Sequence, residues 1–558
     1  MYRQVYDPIA NSLGWSSLFA ALPLLTLFVL LGVVRVAAQW AALAALVVSL
    51  VVAIAVYSMP FGQAVDSGLN GAAFGLFPIM WIVVSAIWIY NMTVKTGHFS
   101  VLRRSISTVS ADQRIQAVIV AFSFGALIEA LAGFGTPVAI TAVMLIALGF
   151  QPIKAATVAL VANTAPVAFG AIATPIITLA KVTELPKDDL GAMVGRQTPF
   201  LALIVPLILV AMVDGRRGIR SVWPAALLGG AVFAVGQFVT SNYISVELTD
   251  IVASLASISA IILLLRFWQP RDLVIADQEF GARPAFAGRN PPGGIRMMHT
   301  EGYGGAPGAT VPDSRRRVLE SYAPYAIIIA VFALAQWGPI KSALDSITQE
   351  PNWPGLHLSD AGGEPLKTTY KLNYLAATGT LLLIAGLITM AVVRINFRTA
   401  LDAYVATLDQ LKWAIVTVAA VLGLAFVMNY SGETITLGLW AAGAGGFFAL
   451  LSPIIGWLGV AVTGSDTSSN SLFGALQVAA AKDAGLSPTL MAAANSSGGV
   501  LGKMISPQNL AIGAAAVGLA GREGDIFRRV LGWSLVLVLV MCVIVYLQST
   551  SVLSWMVP

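Results

Sequence analysis

Charge is scarce in this chain. Of its 558 residues only 11% are Asp, Glu, Lys or Arg, under half of the ~25% usual in a soluble domain. The one cysteine, Cys542, excludes intrachain disulfides and cysteine metal clusters. The three histidines, His98, His299 and His357, show no metal-ligand spacing, so no metal site is expected. A nucleotide-type phosphate loop is absent, which argues against direct ATP coupling. No serine nucleophile elbow occurs either. The chain therefore reads as a non-enzyme without a cofactor. The net charge of +5 does not indicate nucleic acid, because the basic residues lie in short loops beside apolar runs.

Apolar sequence is what the chain has in abundance: 57% of the residues are hydrophobic. Runs of ~20 apolar residues, each able to cross ~30 Å of hydrocarbon, recur from end to end. They are continuous rather than alternating, so helices are expected and a barrel is not. The N-terminus is nearly neutral and its first run leads at once to a second, unlike a cleaved signal peptide. The expected fold is an all-α polytopic membrane protein of about 12–14 transmembrane helices. Expected crossings include 115–132, 137–150, 155–180, 412–428 and 434–457. Arg103, Arg104, Arg114, Arg216, Arg217, Arg220, Arg522, Arg528 and Arg529 mark loops expected at the cytoplasmic face by the positive-inside rule. Topology is the plain reading of every such cluster. The mixed-sign loop at 340–371 is expected outside, and 181–197 fits the same side. Residues 1–266 and 321–558 read as two membrane halves, joined by a Gly-, Pro- and Arg-rich cytoplasmic segment at 267–320.

Polar, glycine- and proline-marked segments interrupt the apolar runs twice. The first copy contains Gly133, Gly135, Thr136 and Pro137, then Asn163 and Thr164, then Gly170 to Pro175. The second contains Gly464, Asp466, Thr467 and Ser468, then Asn495 and Ser496, then Gly502 to Pro507. Asn163 pairs with Asn495, Gly170 with Gly502 and Pro175 with Pro507 at one constant offset. The loop charges bring the chain into the two copies from opposite sides. An inverted repeat with broken helices meeting near the bilayer midplane is therefore expected.

Broken helices free backbone groups that protein, water or ligand must satisfy. Half-helix N-termini suit an anion such as a carboxylate. The helix-breaking positions are Gly133, Gly135, Pro137, Gly464, Gly502 and Pro507. Thr136, Asn163, Thr164, Thr467, Ser468, Asn495, Ser496 and Gln508 are candidate substrate contacts. For any one small residue, helix packing is the plain alternative. Glu129 and Asp466 are candidate proton carriers, since an intramembrane carboxylate is costly unless paired, solvated or protonated. A structural salt bridge is the alternative for Glu129, and sodium ligation for Asp466. Lys503 is the strongest candidate partner for a substrate carboxylate, or else it neutralises Asp466 or Glu129 in the empty site. Lys154 reads as a lysine snorkelling to the surface.

The stretches Glu129 to Pro137, Ala162 to Gly170, Thr463 to Asn470 and Gly502 to Asn509 together resemble the bacterial L-lactate permease family. The resemblance spans nearly the whole chain. It implies a proton-linked importer of L-lactate, glycolate and related short 2-hydroxy monocarboxylates in the bacterial plasma membrane. The implied partners are the monocarboxylate, protons and the lipid bilayer, with no nucleic acid. Two alternatives stay open: a sodium-coupled carboxylate carrier and a non-transporting membrane subunit. Neither substrate preference nor oligomeric state is fixed by these residues.

Overall fold

The computed structural model describes residues 2–107, 109–133, 135–274, 314–519 and 521–558. Residues 275–313, with His299 and most of the expected 267–320 segment, lie outside the described residues. Apart from one short parallel pairing of Tyr2–Arg3 with Leu358–Ser359, the named elements are helices. Among the described residues, 10 helices are long and apolar enough to cross a membrane, or up to 11 if one bent pair counts as a span. The chain is thus an all-α polytopic membrane protein. Some stretches expected as whole crossings are shorter pieces, such as the apolar helices Thr136–Ala147 and Thr378–Val392.

Buried glycines set several helix–helix contacts. Gly71, in the helix Phe61–Phe74, meets Phe397–Ser431 so closely that a Cβ would lie 2.2 Å from the Leu422 carbonyl oxygen. Small residues permit this backbone approach. The helix then breaks at Phe77, which has non-helical backbone angles. The Tyr370 hydroxyl donates to the carbonyls of Ala73 at 3.1 Å and Phe77 at 2.6 Å, satisfying acceptors near the break. The observed helix Phe397–Ser431 begins well before the expected 412–428. The expected 434–457 crossing is divided at Gly443 into Glu433–Ala442 and Phe448–Thr463.

Each copy of the repeat folds as a helical hairpin followed by a broken helix. The first hairpin has arms Gln113–Ala132 and Thr136–Ala147. Its two ends are close, since Gln113 donates to the Leu148 carbonyl at 3.3 Å. The first broken helix comprises Pro152–Ala162 and Gly170–Thr183. Across the break, the segments Pro152–Ala162 and Val167–Thr183 are bent by 66°. The second hairpin has arms Phe448–Thr463 and Asp466–Asp483. Phe447 and Leu486, just beyond its ends, line one small surface cavity together with Tyr546. The second broken helix comprises Pro488–Gly502 and Pro507–Ala516.

The hairpins enter from opposite faces, since Lys482 and Asp483 at the open end of the second line one pocket with Lys181, at the far end of the first broken helix. Asp112 and Arg114, at the open end of the first, belong to an ion-pair knot with Asp214 and Asp272. Asp214 is where the long helix Thr198–Tyr243 kinks and turns back. This is the arginine-rich face. Lys181, at the far end of the first broken helix, donates to the Thr369 carbonyl in the segment expected on the other side. Arg114 itself corrects the plain topological reading of arginine clusters. Its side chain is fully buried and bound to Asp112 through both Nε at 3.0 Å and Nη2 at 2.7 Å. It ties three chain segments together rather than only marking a loop. Lys154 likewise does more than snorkel, donating to the Val213 carbonyl beside the kink at 2.9 Å.

Candidate functional site

The hairpin tips are made by backbone that only glycine adopts easily. Gly133 and Gly135 have φ of +50° and +80°, and Gly464 has φ of +74°. Pro137 and Pro507 occupy the first turns of the helices that follow, where a missing N–H costs nothing. Gly502 serves a different purpose. A Cβ there would lie 2.2 Å from the Trp457 carbonyl oxygen, so it sets the approach of the second broken helix to its hairpin. The break itself follows at Lys503–Ile505, a short 3-10 turn, and Ser506 then caps the next half-helix by accepting from the Asn509 amide. In the first broken helix, Ala171, Ile172 and Ala173 form a left-handed turn, with φ of 43°, 55° and 56°.

These breaks bring charged groups from the two copies into contact. Lys503 Nζ of the second copy lies 2.7 Å from Glu129 Oε1 of the first. Their side chains are 7% and 3% exposed, so the pair is buried. The other Glu129 oxygen accepts from Asn163 Nδ2 at 2.9 Å. Gly170 leaves room for this carboxylate, because a Cβ there would lie 2.6 Å from Glu129 Oε1. Asn163 Oδ1 is buried and without a partner.

Asp466 occupies the first turn of its helix and pairs differently. Its Oδ2 accepts from the Ser496 hydroxyl at 2.6 Å and from Asn470 Nδ2 at 3.4 Å. Oδ1 is buried without a partner, and a Cβ on Gly499 would lie 2.5 Å from it. Asn495 donates to Asn470 Oδ1 at 2.9 Å and accepts from Gln477 at 3.1 Å. Asn470 also donates to the Pro175 carbonyl of the first copy at 3.2 Å. Amides and hydroxyls thus surround one carboxylate, and a lysine and an amide hold the other.

The remaining candidate contacts are less central. Thr164 donates back to the Val161 carbonyl, and Thr136 is half-buried beside the first tip. Thr467 is buried next to Asp466, and the Ser468 amide donates to the Ser465 cap. Gln508 is exposed and covers Gly464. Two network residues, Asn470 and Gln477, fell outside the candidate substrate contacts. Asn470 lies four residues after Asp466, on the same helical face, and that spacing would have found it. No group of His, Cys, Asp and Glu able to hold a metal ion occurs among the described residues.

The sequence profile of the L-lactate permease family matches residues 16–552. The chain belongs to the L-lactate permease family. An L-lactate permease of Bacillus subtilis (strain 168) is 40% identical, with 100% of each chain covered. A glycolate permease of Escherichia coli (strain K12) is 40% identical, with 98% of each covered. An L-lactate permease of that strain is also 40% identical over 100% of each chain. Family membership makes this protein a permease rather than an enzyme.

Proposed function

We propose that this permease carries L-lactate or another short 2-hydroxy monocarboxylate, glycolate included, together with a proton across the bacterial plasma membrane. The observation that carries the reading is the buried Lys503–Glu129 pair joining the two inverted copies. Lys503 has one carboxylate partner within ion-pair distance among the described residues, and a substrate carboxylate competes for the same ammonium. When the anion takes Lys503, Glu129 is left beside Asn163 with no cation in contact. An uncompensated buried charge is strongly destabilising. Uptake of a proton by Glu129 removes that cost and makes the loaded site electrically equivalent to the empty one. Asn163, Asn495, Ser496 and Thr467 supply donors and acceptors for the substrate hydroxyl, and nearby alanines supply apolar surface for a methyl group.

Thr136, Thr164, Ser468 and Gln508 are assigned supporting places around the tips and breaks. The two copies move relative to one another to expose the site alternately. A second reading rests on Asp466. Its free Oδ1 beside hydroxyls and amides is oxygen-rich chemistry that suits a sodium ion.

The test is uptake of labelled L-lactate by the purified protein in proteoliposomes, with a pH or a sodium gradient imposed separately. Accumulation driven by the pH gradient, and competed by unlabelled glycolate, supports proton symport. Accumulation that follows only the sodium gradient replaces it with the second reading. No uptake under either gradient rejects the transport assignment.

A further inference from the structure

Two of the helices that reach the site from the face opposite the arginine-rich one are Gly170–Thr183 and Asp466–Asp483. Beyond the site they diverge around a second cavity of about 510 Å3. Its size falls within the roughly 300–1,000 Å3 range of small-molecule pockets. The cavity does not include Glu129, Asp466 or Lys503 among its lining residues. Ala475, on its wall, lies five residues past Asn470, about 7.5 Å along the helix axis. Between cavity and site the helices close on each other. A Cβ on Gly474 would lie 2.8 Å from Leu179 Cδ1 and 3.0 Å from Val182 Cγ2.

The chemistry of the wall matches a small hydroxy acid. Lys181 is half-buried, and no carboxylate lies within ion-pair distance of its ammonium among the described residues. It donates to the Thr369 carbonyl at 3.1 Å and lies 5.9 Å from the Phe74 ring centroid. An ammonium has three donors, so this leaves capacity for an anion. Asn429 Oδ1 is buried without a partner. The Tyr430 hydroxyl accepts from Asn70 at 3.5 Å, leaving its own proton to give. Lys482, Glu184 and Asp483 also line the cavity, all three exposed at its rim, where they leave one net negative charge that Lys181, deeper in the wall, balances.

We propose that this cavity is a separate entry subsite, where the monocarboxylate docks on Lys181 and its hydroxyl meets Asn429 and Tyr430. Substrate then passes the Leu179–Gly474 seam to reach Lys503. The inference rests on the anion-transport reading above. Lys181 concentrates the anion at the mouth and loses its grip as salt screens the charge.

The experiment is initial-rate lactate uptake from the Lys181 face in oriented proteoliposomes, at low and at physiological ionic strength. Wild-type, Lys181→Gln, Lys181→Arg and Tyr370→Phe proteins are compared. Lys181→Gln is expected to raise the half-saturation concentration three- to tenfold from this face only, leave the maximal rate unchanged and remove the weakening of uptake by added salt. Lys181→Arg is expected to keep most of the wild-type behaviour. Tyr370→Phe loosens the segment that carries Thr369 without touching the cavity, and is expected to show no such rise. An unchanged half-saturation in Lys181→Gln overturns the subsite, as does an equal rise from both faces or an equal rise in Tyr370→Phe. Failure of the wild-type protein to transport lactate instead rejects the parent reading.

Discussion

The two copies of the repeat share a frame and differ in how they hold charge. In each, a carboxylate sits beside a hairpin tip and rests against a glycine: Glu129 against Gly170, and Asp466 against Gly499. Glu129 is bound by Lys503 from the other copy, whereas no cation lies within ion-pair distance of Asp466 among the described residues. Within the proposed transport cycle the difference implies separate roles. If Lys503 takes the substrate carboxylate as proposed, the carboxylate paired with it feels substrate arrival directly. One held by Ser496 and Asn470 keeps those partners when an anion arrives, so on the proposed reading Asp466 serves the geometry of the second copy.

The largest expected effect comes from removing the cation that links the copies. Truncating one member of a buried charge pair costs about 2–5 kcal/mol, at least roughly 30-fold in affinity. Lys503→Gln is therefore expected to raise the half-saturation for lactate at least ~30-fold in proteoliposome uptake. An unchanged value would remove Lys503 from the substrate contacts and erase the distinction between the copies.

The glycine pair sharpens the comparison with a smaller effect. Alanine at Gly170 or Gly499 places a methyl against Glu129 or Asp466 respectively. Gly499 lies inside a helix, where alanine is intrinsically favoured by ~1 kcal/mol. Gly170→Ala is expected to lower proton-driven uptake about tenfold, by the overpacking cost of roughly 1–3 kcal/mol. Gly499→Ala is expected to lower it less and to leave the ratio of proton-driven to exchange rates as in the wild type. If Gly499→Ala alone disturbs that ratio, the coupling role belongs to the second copy.

Asp466→Asn should have the smallest effect on coupling. An asparagine still accepts from Ser496, so an uptake rate reduced by about threefold, with proton-driven accumulation retained, is expected from loss of the charged hydrogen bond. Loss of a sodium-stimulated rate in this variant would favour the cation reading of Asp466.

The paired polar segments were legible because glycine, proline and amides are conspicuous in apolar sequence. Their opposite entry was legible from arginine in the loops. The carboxylates and Lys503 stood out for the same reason, yet which of them pair was not. Lys503 and Glu129 are 374 residues apart, and only packing of the two copies decides that contact. Asn470 and Gln477 were missed because they sit beyond the glycine-marked tip, within a helix whose alanines and leucines read as packing. The Phe77 break also escaped notice, since Pro78 within an apolar run resembles a tolerated membrane-helix proline. Its stabilising partner, Tyr370, comes from a segment far along the chain.

The most direct test of the account is Glu129→Gln in proteoliposomes, read for lactate accumulation under an imposed pH gradient and for lactate–lactate exchange without one. Glutamine keeps an oxygen near Lys503 but cannot carry a proton. Exchange is expected to persist while accumulation driven by the pH gradient disappears. Accumulation that survives at the wild-type level would show that the proton travels elsewhere and contradict the assignment of coupling to the first copy.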